Sequence, residues 1–209
     1  LVGTFTMPLA TLIYPPFLDS LPAEEILSGY AEMLKHGLIA SAAHLRALLA
    51  ADLQMPYSEL FAPLLAESVQ IKQAIVSSDF KESGQRKALN FGHTIGHAIE
   101  ESYAAQGRAV PHGYCVLWGM VAELYLSFVK LKFDKAIVSQ ILAFAKEYYG
   151  AFPYTCKQYD RLYELMTHDK KNSGGVINFT LLAGVGDVRI NQNVTKEEVF
   201  EALDFIREN

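Results

Sequence analysis

Two histidines four residues apart, His93 and His97, stand in a segment whose other polar groups are Arg86 and Asn90: Arg86-Lys-Ala-Leu-Asn90-Phe-Gly-His93-Thr-Ile-Gly-His97. At about 100° per residue, these four positions fall within a sector of roughly 60° on one helix face. The opposite side carries Ala88, Phe91, Ile95, Ala98 and Ile99, and Gly92 and Gly96 leave room for close approach of another helix. A face built only for solvation would be rich in Lys and Glu. Arg, Asn and His instead coordinate, donate and titrate, so the spacing predicts one wall of a metal and anion site. Histidines at i and i+4 can place two imidazoles on one ion. The metalloprotease pattern needs Glu directly after the first His, and Thr94 stands there, which argues against protease chemistry. On spacing alone, a shared metal and an ordinary polar stripe both remain open.

Two other places put polar groups where a core does not want them. Glu32, Lys35 and His36 sit inside an otherwise apolar helical stretch, Gly29-Tyr-Ala-Glu32-Met-Leu-Lys35-His36-Gly37. They could be no more than an intrahelical Glu–Lys pair, worth a few tenths of a kcal/mol. Pro111-His112-Gly113 presents a histidine from a loop before a long apolar stretch. Gly184-Val185-Gly186 reads as a turn, because the third glycine and following helix of a dinucleotide fingerprint are missing.

The elements that must position these groups are mostly helical. Leu21-Pro22-Ala23-Glu24-Glu25 has the proline and acids of a helix start. Apolar residues then recur at helical spacing through Ile26–Leu49, Leu60–Ile75, Ala88–Ile99, Val116–Val129 and Ala136–Tyr148. Loops are expected at Gln54–Pro56, Ser77–Gly84 and Gln106–Gly113, one more helix over Tyr159–Met166, and a polar turn over Asp169–Gly175. Met7–Tyr14 reads as a short strand before the breaker Pro15-Pro16. Val176–Leu182 and Val188–Ile190 read as two more, and Thr195 with Glu198 forms a capping box for a final helix. The expected fold is mainly α, a multi-helical bundle with a few short β-strands.

Length and composition bound the rest. With 209 residues, 51% hydrophobic and 20% charged, a packed core is expected rather than disorder. The net charge of −5, without blocks of like charge, gives no reason to expect nucleic acid or an anionic membrane surface. An anionic ligand must therefore be held by local groups. Cys115 and Cys156 are too few for a disulfide scaffold and read as small buried thiols in a reducing cytosol. Tyr114–Leu131, interrupted by Glu123 and Lys130, reads as a core helix rather than a membrane span. No secretory signal is visible, and the start on Leu1-Val2-Gly3-Thr4 looks like a cut inside a longer protein.

Four segments, in order, closely resemble the C-terminal domain of the 3-dehydroquinate synthase family: Gly29–Gly37, the long run Asp79–Glu100, His112-Gly113 with Gly119-Met120, and Asp169-Lys170-Lys171. The long run is highly specific and the last segment weak. The resemblance implies that residues 1–20 end an absent nucleotide-binding domain and that 21–209 form the helical metal- and substrate-binding domain. It also divides the histidines. A divalent ion, zinc or cobalt, would be held by Glu32, His93 and His112, while His97, Asn90 and one of Lys170 and Lys171 would face the substrate phosphate. Lys72 and Arg86 would bind the substrate carboxylate, and Lys35 and Glu82 would lie near the reacting hydroxyls. The implied reaction converts the sugar acid phosphate DAHP to 3-dehydroquinate and phosphate in the shikimate pathway. NAD serves as cofactor in the full-length enzyme, a cytoplasmic homodimer, and this part alone is expected to be inactive. Rival expectations are another sugar-phosphate cyclase, a metal-dependent polyol dehydrogenase, and a helical scaffold with a structural metal.

Overall fold

The computed structural model describes residues 8–53, 57–80, 82, 84–167 and 177–209. Among them are eight α-helices and one two-stranded antiparallel sheet. The helices are α1 (Ala23–Ala40), α2 (Ala42–Ala50), α3 (Tyr57–Ser78), α4 (His93–Ala105), α5 (His112–Leu131), α6 (Lys135–Tyr149), α7 (Tyr159–Thr167) and α8 (Lys196–Glu208). The sheet pairs β1 (Asn178–Gly184) with β2 (Asp187–Asn193). The expected mainly helical bundle with a little β is what is seen.

The bundle is organised around α5, which packs against α1, α4, α6, α8 and β1. Among the described residues it is the one helix long and apolar enough to cross a membrane by composition, and 67% of that stretch is buried inside the protein. Val116, Leu117, Met120, Val121 and Leu124 have no exposure. Its role is that of a core helix.

Several sequence expectations shift. The helical run Ile26–Leu49 is broken at Ser41, which leaves the helical region (φ −146°) and accepts the His44 N–H on its hydroxyl. Serine suits that N-cap role because its short side chain satisfies an orphan helix donor. The expected strand Met7–Tyr14 is not found among the described residues: Met7 lies outside them, and Pro8–Tyr14 has no strand partner among them, with Leu9 and Leu12 fully exposed. The α3 helix extends through Ser78, and the 54–56 loop lies outside the described residues. So do Lys81, Ser83, Asp169–Gly175 and Val176.

The hairpin turns at Val185-Gly186, with Gly186 at φ +81°, and Gly186 N–H donates to the Leu38 carbonyl at 2.9 Å. That bond ties the hairpin to the end of α1. β1 ends at Gly184 and β2 at Asn193, beyond the expected spans, and β1 is tied to α5 where the Leu182 N–H donates to Ser127 Oγ at 3.0 Å. The Thr195–Glu198 capping box is present at the start of α8. Cys115 is buried as expected, whereas Cys156 is exposed in the 3₁₀ turn before α7.

Candidate metal centre

The segment Arg86–His97 is not one helix. Gln85–Asn90 is a 3₁₀ turn, Phe91 and Gly92 break the path, and α4 begins at His93. Gly92 sits at φ +79°, a region side chains avoid, and a Cβ there would lie 2.3 Å from Met120 Cγ. Its N–H donates to the buried Glu123 carboxylate of α5 at 2.6 Å. The break is thus held from α5, by a backbone contact and a buried acceptor at a helix N-terminus. Arg86 and Asn90 consequently belong to a different element from His93 and His97.

The α5 helix positions the third histidine. A Cβ on Gly113 would lie 2.0 Å from the Ser28 carbonyl, and the Gly113 N–H donates to Ser28 Oγ at 3.0 Å. The N-terminus of α5 is therefore seated on α1 at Ser28, one turn before Glu32. His112 is the first residue of α5, not a loop residue, and it stands over that carboxylate. The α5 helix also meets α4 without side chains between them at Gly119, where a Cβ would fall 2.0 Å from the Gly92 carbonyl.

These contacts bring Glu32 of α1, His93 and His97 of α4, and His112 of α5 together. The three imidazoles offer ligand atoms no more than 4.8 Å apart. Glu32 Oε1 lies 3.6 Å from His93 Nε2 and 3.7 Å from His112 Nε2. That oxygen is buried and has no hydrogen-bond partner among the described residues. Its companion Oε2 accepts from Lys35, which is itself 3% exposed. Donors about 2.0–2.1 Å from a shared ion at tetrahedral angles would be about 3.4 Å apart, so Glu32, His93 and His112 fit a divalent ion held between them.

Each ring is turned by its other nitrogen. His93 Nδ1 is 3.1 Å from the Phe91 carbonyl, and His112 Nδ1 is 3.0 Å from Glu100 Oε2. Both arrangements leave Nε2 toward Glu32. Burial, reinforced by the Lys35 ammonium, pushes His93 down to about 3, which favours the neutral imidazole at physiological pH. Closeness to Glu32 raises His112 against the opposing effect of burial, with Glu100 adding to the rise. Burial alone would raise Glu32, but His112 and Lys35 outweigh it and hold the carboxyl well below the usual range.

The remaining candidates are engaged elsewhere or lie outside the described residues. Asn90 donates to Glu82 Oε1 at 2.9 Å, and both line a polar cleft of about 310 Å³ with Lys87, Thr94, Asn178, Thr180 and Asn191. Arg86 donates to the Phe80 carbonyl at 2.8 Å, while its own N–H is held by Asp79 at 3.1 Å. Lys72 is exposed on α3 and lines a separate groove with Pro8, Leu9 and Ile13. Lys170 and Lys171 lie outside the described residues. The sequence reading missed Ser28, Glu100 and Glu123. Glu100 could have been found, since it continues the His93, His97 stripe at i+7 and i+3; Ser28 and Glu123 act across the fold and leave no local signal.

The fold is shared with two solved synthases. The structure superimposes on 2-epi-5-epi-valiolone synthase from Streptomyces hygroscopicus, solved with NAD+ and Zn2+ bound, with a TM-score of 0.76 at 24% identity, over 93% of this chain and 54% of that one. It superimposes likewise on 2-deoxy-scyllo-inosose synthase complexed with carbaglucose-6-phosphate, NAD+ and Co2+, with a TM-score of 0.75 at 20% identity, over 93% and 55%. Residues 29–172 match the family described as 3-dehydroquinate synthase C-terminal, and the chain belongs to that family. It is 53% identical over its whole length to a 3-dehydroquinate synthase of Parabacteroides distasonis, covering 59% of that protein. To the enzyme of Corynebacterium diphtheriae it is 36% identical, over 97% of this chain and 56% of that one. The chain thus spans little more than half the length of these relatives.

Proposed function

We propose that this chain is the metal- and substrate-binding part of a 3-dehydroquinate synthase, acting in the conversion of DAHP to 3-dehydroquinate and inorganic phosphate. The observation that carries the reading is the buried, unpartnered Glu32 Oε1 between His93 Nε2 and His112 Nε2. Two imidazoles and one carboxylate leave coordination positions free, which is the arrangement of a catalytic rather than a closed structural site.

Glu32, His93 and His112 hold a zinc or cobalt ion in this reading. The bound metal supplies Lewis acidity toward a substrate hydroxyl, and NAD, held by the rest of the full-length protein, supplies a reversible hydride acceptor. Lys35 neutralises the second oxygen of Glu32 and keeps a cation beside the reacting hydroxyls. Glu82, whose Oε1 accepts from Asn90, is assigned to the same hydroxyls in this reading. Lys72 and Arg86 bind the carboxylate of the substrate, and His97, Asn90 and one of Lys170 and Lys171 bind its phosphate. Charge-assisted hydrogen bonds of this kind orient the substrate, and positioning supplies much of the rate. With one NH1 proton on the Phe80 carbonyl, Arg86 has further N–H donors with which to engage a carboxylate, and Lys72 must be brought toward the cluster from α3. Residues 1–20 form the end of the nucleotide-binding domain and 21–209 the catalytic domain of a cytoplasmic homodimer.

The test is phosphate release from DAHP by the full-length protein, with and without a chelator. Release that depends on both DAHP and metal supports the reading. Metal-dependent turnover of a different sugar phosphate, with none of DAHP, would move the protein to another cyclase activity.

A further inference from the structure

The metal reading leaves open why His112, at the mouth of the cluster with 41% of its side chain exposed, should present one nitrogen rather than the other. An imidazole ligates through a single lone pair, and the hydrogen bond at the far nitrogen decides which one is offered. His93 is fixed by a backbone carbonyl, that of Phe91, which cannot rotate away. His112 begins its helix without a side-chain cap, and no such carbonyl meets its ring among the described residues. What stands at its Nδ1 is Glu100 Oε2, at 3.0 Å, carried on α4 from the same face as His93 and His97.

We propose that Glu100 is a positioning residue that fixes His112 with its proton on Nδ1, so that Nε2 is free toward Glu32 and a bound metal. The proposal rests on the metal reading above. Carboxylate–histidine–metal arrangements hold ring orientation and raise the basicity of the ligating nitrogen. The geometry makes the role separable from folding. Both partners are near 40% exposed, and ion pairs at such sites add little to stability. Losing Glu100 should therefore spare the fold while loosening the ligand. The arrangement also links α4 to α5 at a second point, about two turns from the Gly92–Gly119 backbone contact.

The experiment titrates Zn2+ and Co2+ into the 209-residue chain against a competing chelator, for the unmutated protein and for Glu100→Ala, Glu100→Gln and Glu101→Ala. Glu100→Ala should weaken metal binding by about 10–100-fold, the range found when such outer partners are removed. Glu100→Gln keeps an oxygen acceptor and should lose less, and the exposed neighbour Glu101→Ala should change nothing. Nitrogen-15 imidazole spectra should show His112 protonated on Nδ1 in the unmutated chain and as a mixture of tautomers in Glu100→Ala, with unchanged melting. Metal affinity and His112 tautomer both unaltered in Glu100→Ala would overturn the proposal. Failure of the metal reading itself looks different: the unmutated chain would bind neither ion, or Glu32→Gln would bind as tightly as the unmutated protein.

Discussion

Gly119→Ala inserts one methyl group at the place where α4 and α5 meet backbone to backbone. The new Cβ would lie 2.0 Å from the Gly92 carbonyl oxygen, 2.7 Å from Gly96 N and 3.0 Å from Gly92 C. An ordinary carbon–oxygen contact is about 3.3 Å or longer, so the two helices must separate locally by more than about 1 Å. None of the obstructing atoms belongs to a side chain that could rotate aside. Overpacking costs about 1–3 kcal/mol in general, and a collision between two backbones belongs at the upper end, about 3 kcal/mol. For a chain of this size that is a fall of about 6–12 °C in melting temperature. The same displacement carries Gly92, and with it His93, away from the helix that bears His112. Metal affinity should therefore fall at least about tenfold, or 1.4 kcal/mol. Gly29→Ala is the matched control: nothing lies within 4 Å of its Cβ position in the interior of α1, and alanine should stabilise it by about 1 kcal/mol. Thermal melting and zinc titration read both effects. A Gly119→Ala protein that melts within about 2 °C of the unmutated one and binds zinc equally well would refute the claim that this contact positions His93.

Other expectations are smaller in scope. Glu32→Gln, His93→Ala and His112→Ala should each abolish tight zinc binding, whereas His97→Ala should retain it; equal loss in His97→Ala would add His97 to the ligand set. Ser28→Ala removes the acceptor of the Gly113 N–H and should destabilise the chain by about 1 kcal/mol, seen as a lower urea midpoint at unchanged slope. His36 is 5% exposed, neither ring nitrogen is hydrogen-bonded among the described residues, and burial, aided by Lys35 and Lys72 and opposed by Glu32, pushes it from the usual 6.5 down to about 4. Because the unfolded chain takes up this proton first, the stability tied to neutral His36 is present above pH 6.5. It is lost as pH falls toward 4, by about 3 kcal/mol. Urea titrations at pH 7 and pH 4 should show that difference shrinking in His36→Leu; an unchanged difference would mean that His36 is not the group being charged.

How much of the site could be read along the chain depends on the range of the forces that build it. The helices α3, α5, α6 and α8 follow from apolar periodicity and, for α8, from the Thr195–Glu198 box, because those are signals within a few residues. The α1–α2 break at Ser41 was local too, but a serine in a long apolar run is as compatible with a helix interior as with a cap. The strand expected at Met7–Tyr14 shows the opposite failure. Alternation of apolar residues is only half of a strand, and Pro8–Tyr14 meets no partner edge among the described residues.

The stripe from Arg86 to His97 is the most instructive case. Periodicity placed four polar side chains on one face and was right about His93 and His97, which do share a turn of α4 with ring centroids 5.1 Å apart. It was wrong to extend the same helix back to Arg86. The reason lies thirty residues away, where the Glu123 carboxylate and the bare backbone of Gly119 fix Gly92 in a left-handed conformation. A helical wheel cannot contain that constraint. The consequence is chemical as well as geometric: the break lets the 3₁₀ turn swing Asn90 toward Glu82 and the hairpin, while His93 is aimed at Glu32 on α1. One continuous helix would have kept all four groups in a single row. Two elements joined at a pinned glycine give two differently directed sets, the imidazoles of α4 and a polar set facing the cleft, and the proposed substrate, with a hydroxyl at one end and an anion at the other, would need both. If Glu123→Gln, which keeps the acceptor but drops the charge at the α4 N-terminus, weakens zinc binding without unfolding the chain, then the pin itself is part of the site.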